Sequence, residues 1–196
     1  MMRTRVAVTV VLACALALSA ACQGERRTAD HAPLQTVAAP PYICEYIPLK
    51  AVELMTGVSD PLVRGFFDLS QDSGDGSCAV YRRDGDRLKV LQITLTPERV
   101  PGEVEEELDG ASPLPEIIPG SIGYYFRGRD SEKHGAHAVL ARGKTELSVQ
   151  LEYGVKGRDN AADVLALMKL IAPTLITAAS APSPSPSATP SSPKGD

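Results

Sequence analysis

A chain of 196 residues, 43% of them apolar, has room for one buried core and little more. Its 20 Lys and Arg against 24 Asp and Glu leave a net charge of −4, which lacks the basic excess of a nucleic-acid binder and offers no polybasic patch for anionic lipid. There is no Trp, and aromatic residues make up only 5%, which disfavours a carbohydrate-stacking platform.

At the amino terminus Arg3 and Arg5 precede an uncharged stretch from Val6 to Leu18. That stretch is shorter than the roughly 20 helical residues a bilayer requires, and it has the form of an export-signal h-region. Ser19, Ala20 and Ala21 lead into Cys22, and polar Gln23, Gly24 and Glu25 follow. This arrangement resembles the lipobox of bacterial lipoproteins, with Ser19 where the commonest pattern has a large aliphatic residue and Leu18 one position earlier. The resemblance implies that residues 1–21 are a signal peptide and that the thiol of Cys22 takes a diacylglyceryl group. It further implies a new amino terminus acylated, for example by palmitate, and attachment to the extracytoplasmic face of the cell membrane. The other reading is a plain signal peptide cut at an Ala-x-Ala-like site. Loss of Arg3 and Arg5 with the signal would make the chain two charges more acidic. Residues 22–41 are polar, Ala/Pro-rich and aperiodic, and are predicted to be a flexible tether spanning roughly 25 Å.

A globular domain is predicted over residues 42–177. Pro48 is placed to open a helix and Gly57 to close it, with Ala51, Val52, Leu54 and Met55 facing inward. The run from Asp68 to Ser77 is turn chemistry, after which Cys78 to Pro97 reads as two strands joined at Asp84-Gly85. In the second of these, Leu91, Ile93 and Leu95 alternate with Gln92, Thr94 and Thr96. Gly102 to Gly110 is a short acidic helix candidate, and a proline-punctuated loop runs from Ser112 to Gly120. Strands are predicted at Ile122–Arg127, Ala136–Arg142 and Thr145–Tyr153, and then a helix capped by Asp159 or Asn160 and ending near Pro173. The sum is an α+β domain with about five antiparallel strands and two main helices packed on the sheet. Residues 178–196, rich in Pro and Ser, are predicted to be a disordered tail.

Of the four cysteines, Cys14 leaves with the signal and Cys22 is taken by lipid, so Cys44 and Cys78 remain to pair. No C-x-x-C spacing suggests a reactive dithiol. A structural disulfide closing a loop of about 35 residues would contribute roughly 3–4 kcal/mol. The run from Cys44 to Asp60, followed by Cys78 to Arg83, resembles the small two-cysteine lipoprotein domains of actinobacteria that are classed as domains of unknown function. It is also similar to the disulfide-tied extracytoplasmic sensor domains of some actinobacterial receptor kinases. The resemblance implies an extracytoplasmic α+β module and carries no catalytic residues.

Nucleophile elbows, zinc-protease helices and phosphate loops are absent from the sequence. His134 and His137 would share a face on a helix, but Gly135 and the strand that follows predict divergence, so surface histidines compete with a metal pair. Asp68, Ser70 and Asp72 superficially suggest a calcium loop, yet its sixth position is Ser73 and its twelfth Ala79. Glu103, Glu105, Glu106 and Glu107 form either a solvated helix face or a site for a basic partner. Tyr124, Tyr125 and Phe126 place aromatic rings on both faces of one strand and, with Phe66 and Phe67, could line a binding groove. No catalytic residue, metal or cofactor is assigned. The reading is a non-catalytic envelope module binding or sensing an envelope protein; the alternatives are a carrier of a small apolar or lipid-like ligand, a structural coat protein and an enzyme.

Overall fold

A computed structural model describes residues 32–70, 74–97, 111–130 and 132–176. Cys22, the signal peptide, the acidic segment Glu103–Glu107, Asp72 and Ser73 of the calcium-like run, and the Pro/Ser-rich tail lie outside the described residues.

Strands β1 (Tyr42–Ile43) and β2 (Ile47–Pro48) form a small antiparallel hairpin that leads directly into helix α1 (Leu49–Thr56). Pro48 enters the helix from an extended conformation, and Gly57 ends it in the left-handed region, its N–H donating to the Glu53 carbonyl at 2.9 Å. Ala51, Val52 and Met55 are buried as expected, with Leu54 half-buried and Thr56 buried in its place. Thr56 is accommodated because its hydroxyl donates to the Val52 carbonyl at 2.6 Å. Cys44 and Cys78 are bonded, with Cα atoms 6.0 Å apart, which ties the first hairpin to the sheet.

The main sheet contains β3 (Leu62–Asp68), β4 (Asp75–Tyr81), β5 (Lys89–Thr96), β6 (Ser112–Pro113), β7 (Ile122–Arg127), β8 (Ala136–Arg142) and β9 (Thr145–Leu151). All pairings are antiparallel and the spatial order is β3-β4-β5-β9-β8-β7-β6. Two meanders therefore meet at the β5–β9 pair, where Leu91, Ile93 and Leu95 stand opposite Leu151, Val149 and Leu147. These side chains line one face. Helix α2 (Asn160–Leu175) lies on that side across β7, β8 and β9, with Val164, Leu167, Met168, Ile171 and Leu175 all buried. The opposite, open face carries Gln92, Thr94, Ser148 and Gln150 at its centre.

The α+β class stands, but the sheet has seven strands rather than five. The two unexpected strands have distinct causes. β6 spans two residues inside a proline-punctuated loop, too short to carry a period. β3 is an edge strand interrupted by Gly65, and its partner β4 begins inside the supposed turn run, at Asp75 and Gly76. Both glycines serve close strand approach: a Cβ on Gly65 would enter the Ser77 backbone, and one on Gly76 the backbone at Phe66 and Phe67.

Helix α2 is capped by Asp159, which accepts from the Ala162 N–H at 3.2 Å, but it continues past Pro173 to Leu175. The proline is tolerated because it and Lys169, whose carbonyl loses its helical partner, lie on the exposed stripe of the helix. At the other end of the domain, packing begins earlier than composition predicts. Leu34, inside the expected tether, is only 5% exposed and belongs to the main core. Arg158 donates to the Ala32 carbonyl at 2.9 Å, so the packed chain starts by Ala32 rather than at Tyr42.

Candidate functional site

Strand β7 brings the aromatic residues to the edge of the sheet. Among the described residues only the two-residue β6 lies outside it, with Ser112 opposite Tyr125 and Pro113 opposite Tyr124. The pleat separates the rings. Tyr125 and Arg127 are paired with Ala138 and Ala136 and face the helix side, whereas Ile122, Tyr124 and Phe126 face the open side with Ala141, Val139 and His137.

On the helix side the half-buried Tyr125 lines a groove of about 450 Å³ with Ser112, Arg127, Asp159, Ala161 and Leu165. Arg127 and Asp159 meet at 2.7 Å, joining β7 to the start of α2 with one exposed ion pair. On the open side Phe126 lies edge-on to the His137 ring, centroids 5.3 Å apart, and nearly parallel to Tyr124 at 6.3 Å. Tyr124 is 6% exposed and packs with Val139 and Ala141 in a small second cluster, whereas Phe126 and Ile122 remain 39% and 48% exposed. Next to Phe126 a smaller groove of about 220 Å³ is lined by Arg129, Lys133, His137, Gln150 and Glu152. The β7–β8 loop that forms its rim is fixed by Asp130, whose carboxylate accepts from the Glu132 N–H at 2.9 Å and the Lys133 N–H at 3.4 Å. These backbone bonds, the Glu132 one foremost, together with the nearby Lys133 ammonium, hold the Asp130 carboxyl below the usual aspartate range.

Phe66 and Phe67 do not join this site. They lie on β3 at the far end of the sheet, with β4, β5, β9 and β8 between them and β7, a separation of about 24 Å at ordinary strand spacing. Phe67 is a core residue in edge contact with Tyr46, ring centroids 6.3 Å apart. Phe66 stands on the open face and exposes 69% of its surface. The aromatic groove expected from composition is therefore reduced to Tyr124, Tyr125 and Phe126, themselves divided between two faces.

The histidines separate as well: His134 occupies the loop with a positive φ of 50°, and His137 lies on β8 against Phe126. Among the described residues, no three His, Cys, Asp or Glu side chains are grouped to hold a metal ion. Asp68, the first residue of the calcium-like run, turns its carboxylate back to accept from the Ser70 N–H at 2.9 Å. Hydrogen bonds from the Ser70 side chain and backbone hold it below the usual range. Carboxylates stabilised in the charged form suit fixed surface charge, whereas a general acid requires the opposite shift.

One arrangement near the site has no sequence signature. Arg158 and Asp163 form a buried bidentate pair, Nε to Oδ2 and Nη2 to Oδ1 both at 2.7 Å. They line, with Pro33, Leu34 and Ala166, a groove of about 420 Å³ beside the start of α2. The only hint in the sequence is an Asp four residues after a helix cap, which ordinarily marks favourable charge at a helix start rather than burial.

The chain was compared with protein-family models, with curated proteins and with solved structures, and matches none of them.

Proposed function

We propose that this chain is a lipid-anchored envelope protein, attached through Cys22 at the extracytoplasmic face of the cell membrane, that binds or senses a protein partner through β7 without chemistry of its own. The observation that carries the reading is the open-side surface of β7: Phe126 and Ile122 project from a rigid strand, backed by buried Tyr124 and bordered by Arg129 and Lys133. Exposed aromatic residues fixed on regular structure and flanked by cations are the usual anchors of protein interfaces. The Cys44–Cys78 bond accords with an oxidising compartment. The alternative, carriage of a small apolar or lipid-like ligand, would use the groove beneath Tyr125, which at about 450 Å³ has the volume of a small-molecule site but carries the Arg127–Asp159 ion pair in its wall.

The test places a photoreactive side chain at position 126 or 125 of the full-length chain in intact cells. A protein adduct from position 126, weakened when Arg129 and Lys133 are neutralised, is the expected result. An adduct of lipid-like mass from position 125 alone supports the carrier instead. In the same cells Cys22→Ser should move the chain out of the membrane fraction or leave its signal uncut. A mature amino terminus elsewhere, with Cys22 unmodified, would refute the anchor. Loss of function on His134→Ala, with folding and display unchanged, would point to metal or catalytic chemistry; His137 packs on Phe126, so its replacement does not discriminate.

A further inference from the structure

The two ends of the main sheet are not equivalent. At one end β6 is two residues long and one of them is Pro113, which has no N–H to donate, so it offers little backbone to a neighbour. At the other, β3 runs for seven residues from Leu62 to Asp68 and pairs with β4 on one side only. Among the described residues no backbone hydrogen bond reaches its outer side. Such an edge is a template for another strand.

We infer that β3 pairs antiparallel with β3 of a second copy of this chain, about a twofold axis normal to the sheet that places Phe66 opposite Phe66. An axis of that kind preserves the faces of the sheet, so only registers centred on a single residue are allowed. Centring on Phe66 sets Arg64 of each copy opposite Asp68 of the other, giving two opposite-charge cross-strand pairs around an exposed aromatic pair. Centring on Arg64 or on Asp68 opposes like charges. Centring on Gly65 sets Arg64 against Phe66 and Leu62 against Asp68, and centring on Phe67 sets Phe66 against Asp68. The side chains involved are placed for the favoured register: Arg64, Phe66 and Asp68 all project from the open face, and Phe66 is the most exposed aromatic residue of the domain. In this register Gly65 of each copy faces Phe67 of the other on the helix side, so these two positions do not set bulky side chains against each other. Arg64 lies over the Tyr81 ring at 5.7 Å, on the same open face, and needs only to swing outward along the edge.

A pairing of this length buries less than a standard interface of about 1,600 Å². It is therefore weak, and the readout must trap it. The inference is independent of the β7 reading, since it concerns the opposite end of the sheet.

The experiment uses the full-length chain in its own membrane, with Phe66→Cys oxidised in place and dimer counted on non-reducing gels against the wild-type chain. Ile122→Cys, also exposed on the open face but at the far end of the sheet, is the control. Phe66→Cys should yield a disulfide-linked homodimer, and Ile122→Cys should stay at the wild-type level. In the Phe66→Cys background, Arg64→Asp or Asp68→Arg should each lower the yield about tenfold, and the two together should restore it to within about threefold, because the exchanged charges again face each other. Protease resistance in the same samples confirms that each variant is folded; Arg64→Gln, with a smaller loss, replaces any reversal that is not. No homodimer above the control, or capture of a different protein at position 66, overturns the second copy as the occupant. Homodimer that ignores the charge reversals, or is not restored by the double exchange, overturns the register.

Discussion

Cys44 and Glu45 both have positive φ angles, 44° and 70°, in the turn between β1 and β2. Left-handed backbone costs an ordinary L-residue about 1–2 kcal/mol, so something must hold the turn in place. For Cys44 that restraint is the bond to Cys78 in the sheet core. Glu45 is exposed, and the structure gives its side chain no compensating partner among the described contacts. Glycine adopts this conformation freely but loses about 0.5–1 kcal/mol more chain entropy on folding. Glu45→Gly should therefore stabilise the domain by about 0.5–1 kcal/mol, read as a higher denaturant midpoint at unchanged slope. A fall in midpoint would mean that Glu45 makes a contact worth more than the backbone cost. Gly57, at φ 71°, illustrates the same rule already obeyed, because it ends α1 where any side chain would be strained.

At the scale of elements, what could be read from the sequence tracks how strongly each segment is buried on one side. β5 and β9 are central strands, and their strict alternation is visible in Leu91, Ile93 and Leu95 and in Leu147, Val149 and Leu151. α2 is legible for the same reason, with Ala161, Val164, Leu165, Met168 and Ile171 at helical spacing; Leu165 is only half-buried, and Leu167 is buried instead. β3 was not legible because an edge strand buries few of its residues: only Phe67 is fully buried, and Gly65 interrupts the pattern. Of the glycines in the Asp68–Ser77 run, Gly76 is required by strand contact rather than by a turn, and only the partner backbone reveals that. Gly76→Ala should accordingly disrupt the β3–β4 pair, because its Cβ would press on backbone that cannot move aside cheaply. Hydrogen exchange should then show lost protection in Leu62–Asp68 and Asp75–Tyr81, with β8 and β9 still protected. Gly85→Ala, in a loop with open space around it, is the matched comparison and should leave exchange in β3 unchanged. The aromatic site was half legible for a related reason. Tyr124, Tyr125 and Phe126 are adjacent in sequence and stay together at one edge, whereas grouping Phe66 and Phe67 with them required a strand order that no local pattern encodes.

For the domain as a whole, the segment from Ala32 to Cys44 is fastened twice, once by the Cys44–Cys78 bond and once by Arg158. The second fastening is a buried charge cluster: Arg158 and Asp163 have side chains only 3% and 7% exposed, joined by two hydrogen bonds, and the remaining guanidinium arm holds the Ala32 carbonyl. Neither charge is tolerable there alone. A buried pair contributes little net stability compared with well-packed apolar residues, but removal of one partner strands the other in a poor dielectric at a cost of about 3–5 kcal/mol. Asp163→Asn, nearly isosteric, should thus lower unfolding stability by about that amount, whereas Arg158→Met with Asp163→Leu should cost much less. Leu34, buried in the core, is seated beside the same pair. Because the Ala32 contact is to a carbonyl, no side chain before Leu34 is needed to recognise Arg158, and a composition rich in Ala and Pro is sufficient. Under conditions where Asp163→Asn remains folded, limited proteolysis should cut first near residues 32–38, ahead of any site in the sheet. If that variant keeps wild-type stability and the segment stays protected, the ion pair is not what holds the chain there, and burial of Leu34 alone must be sufficient.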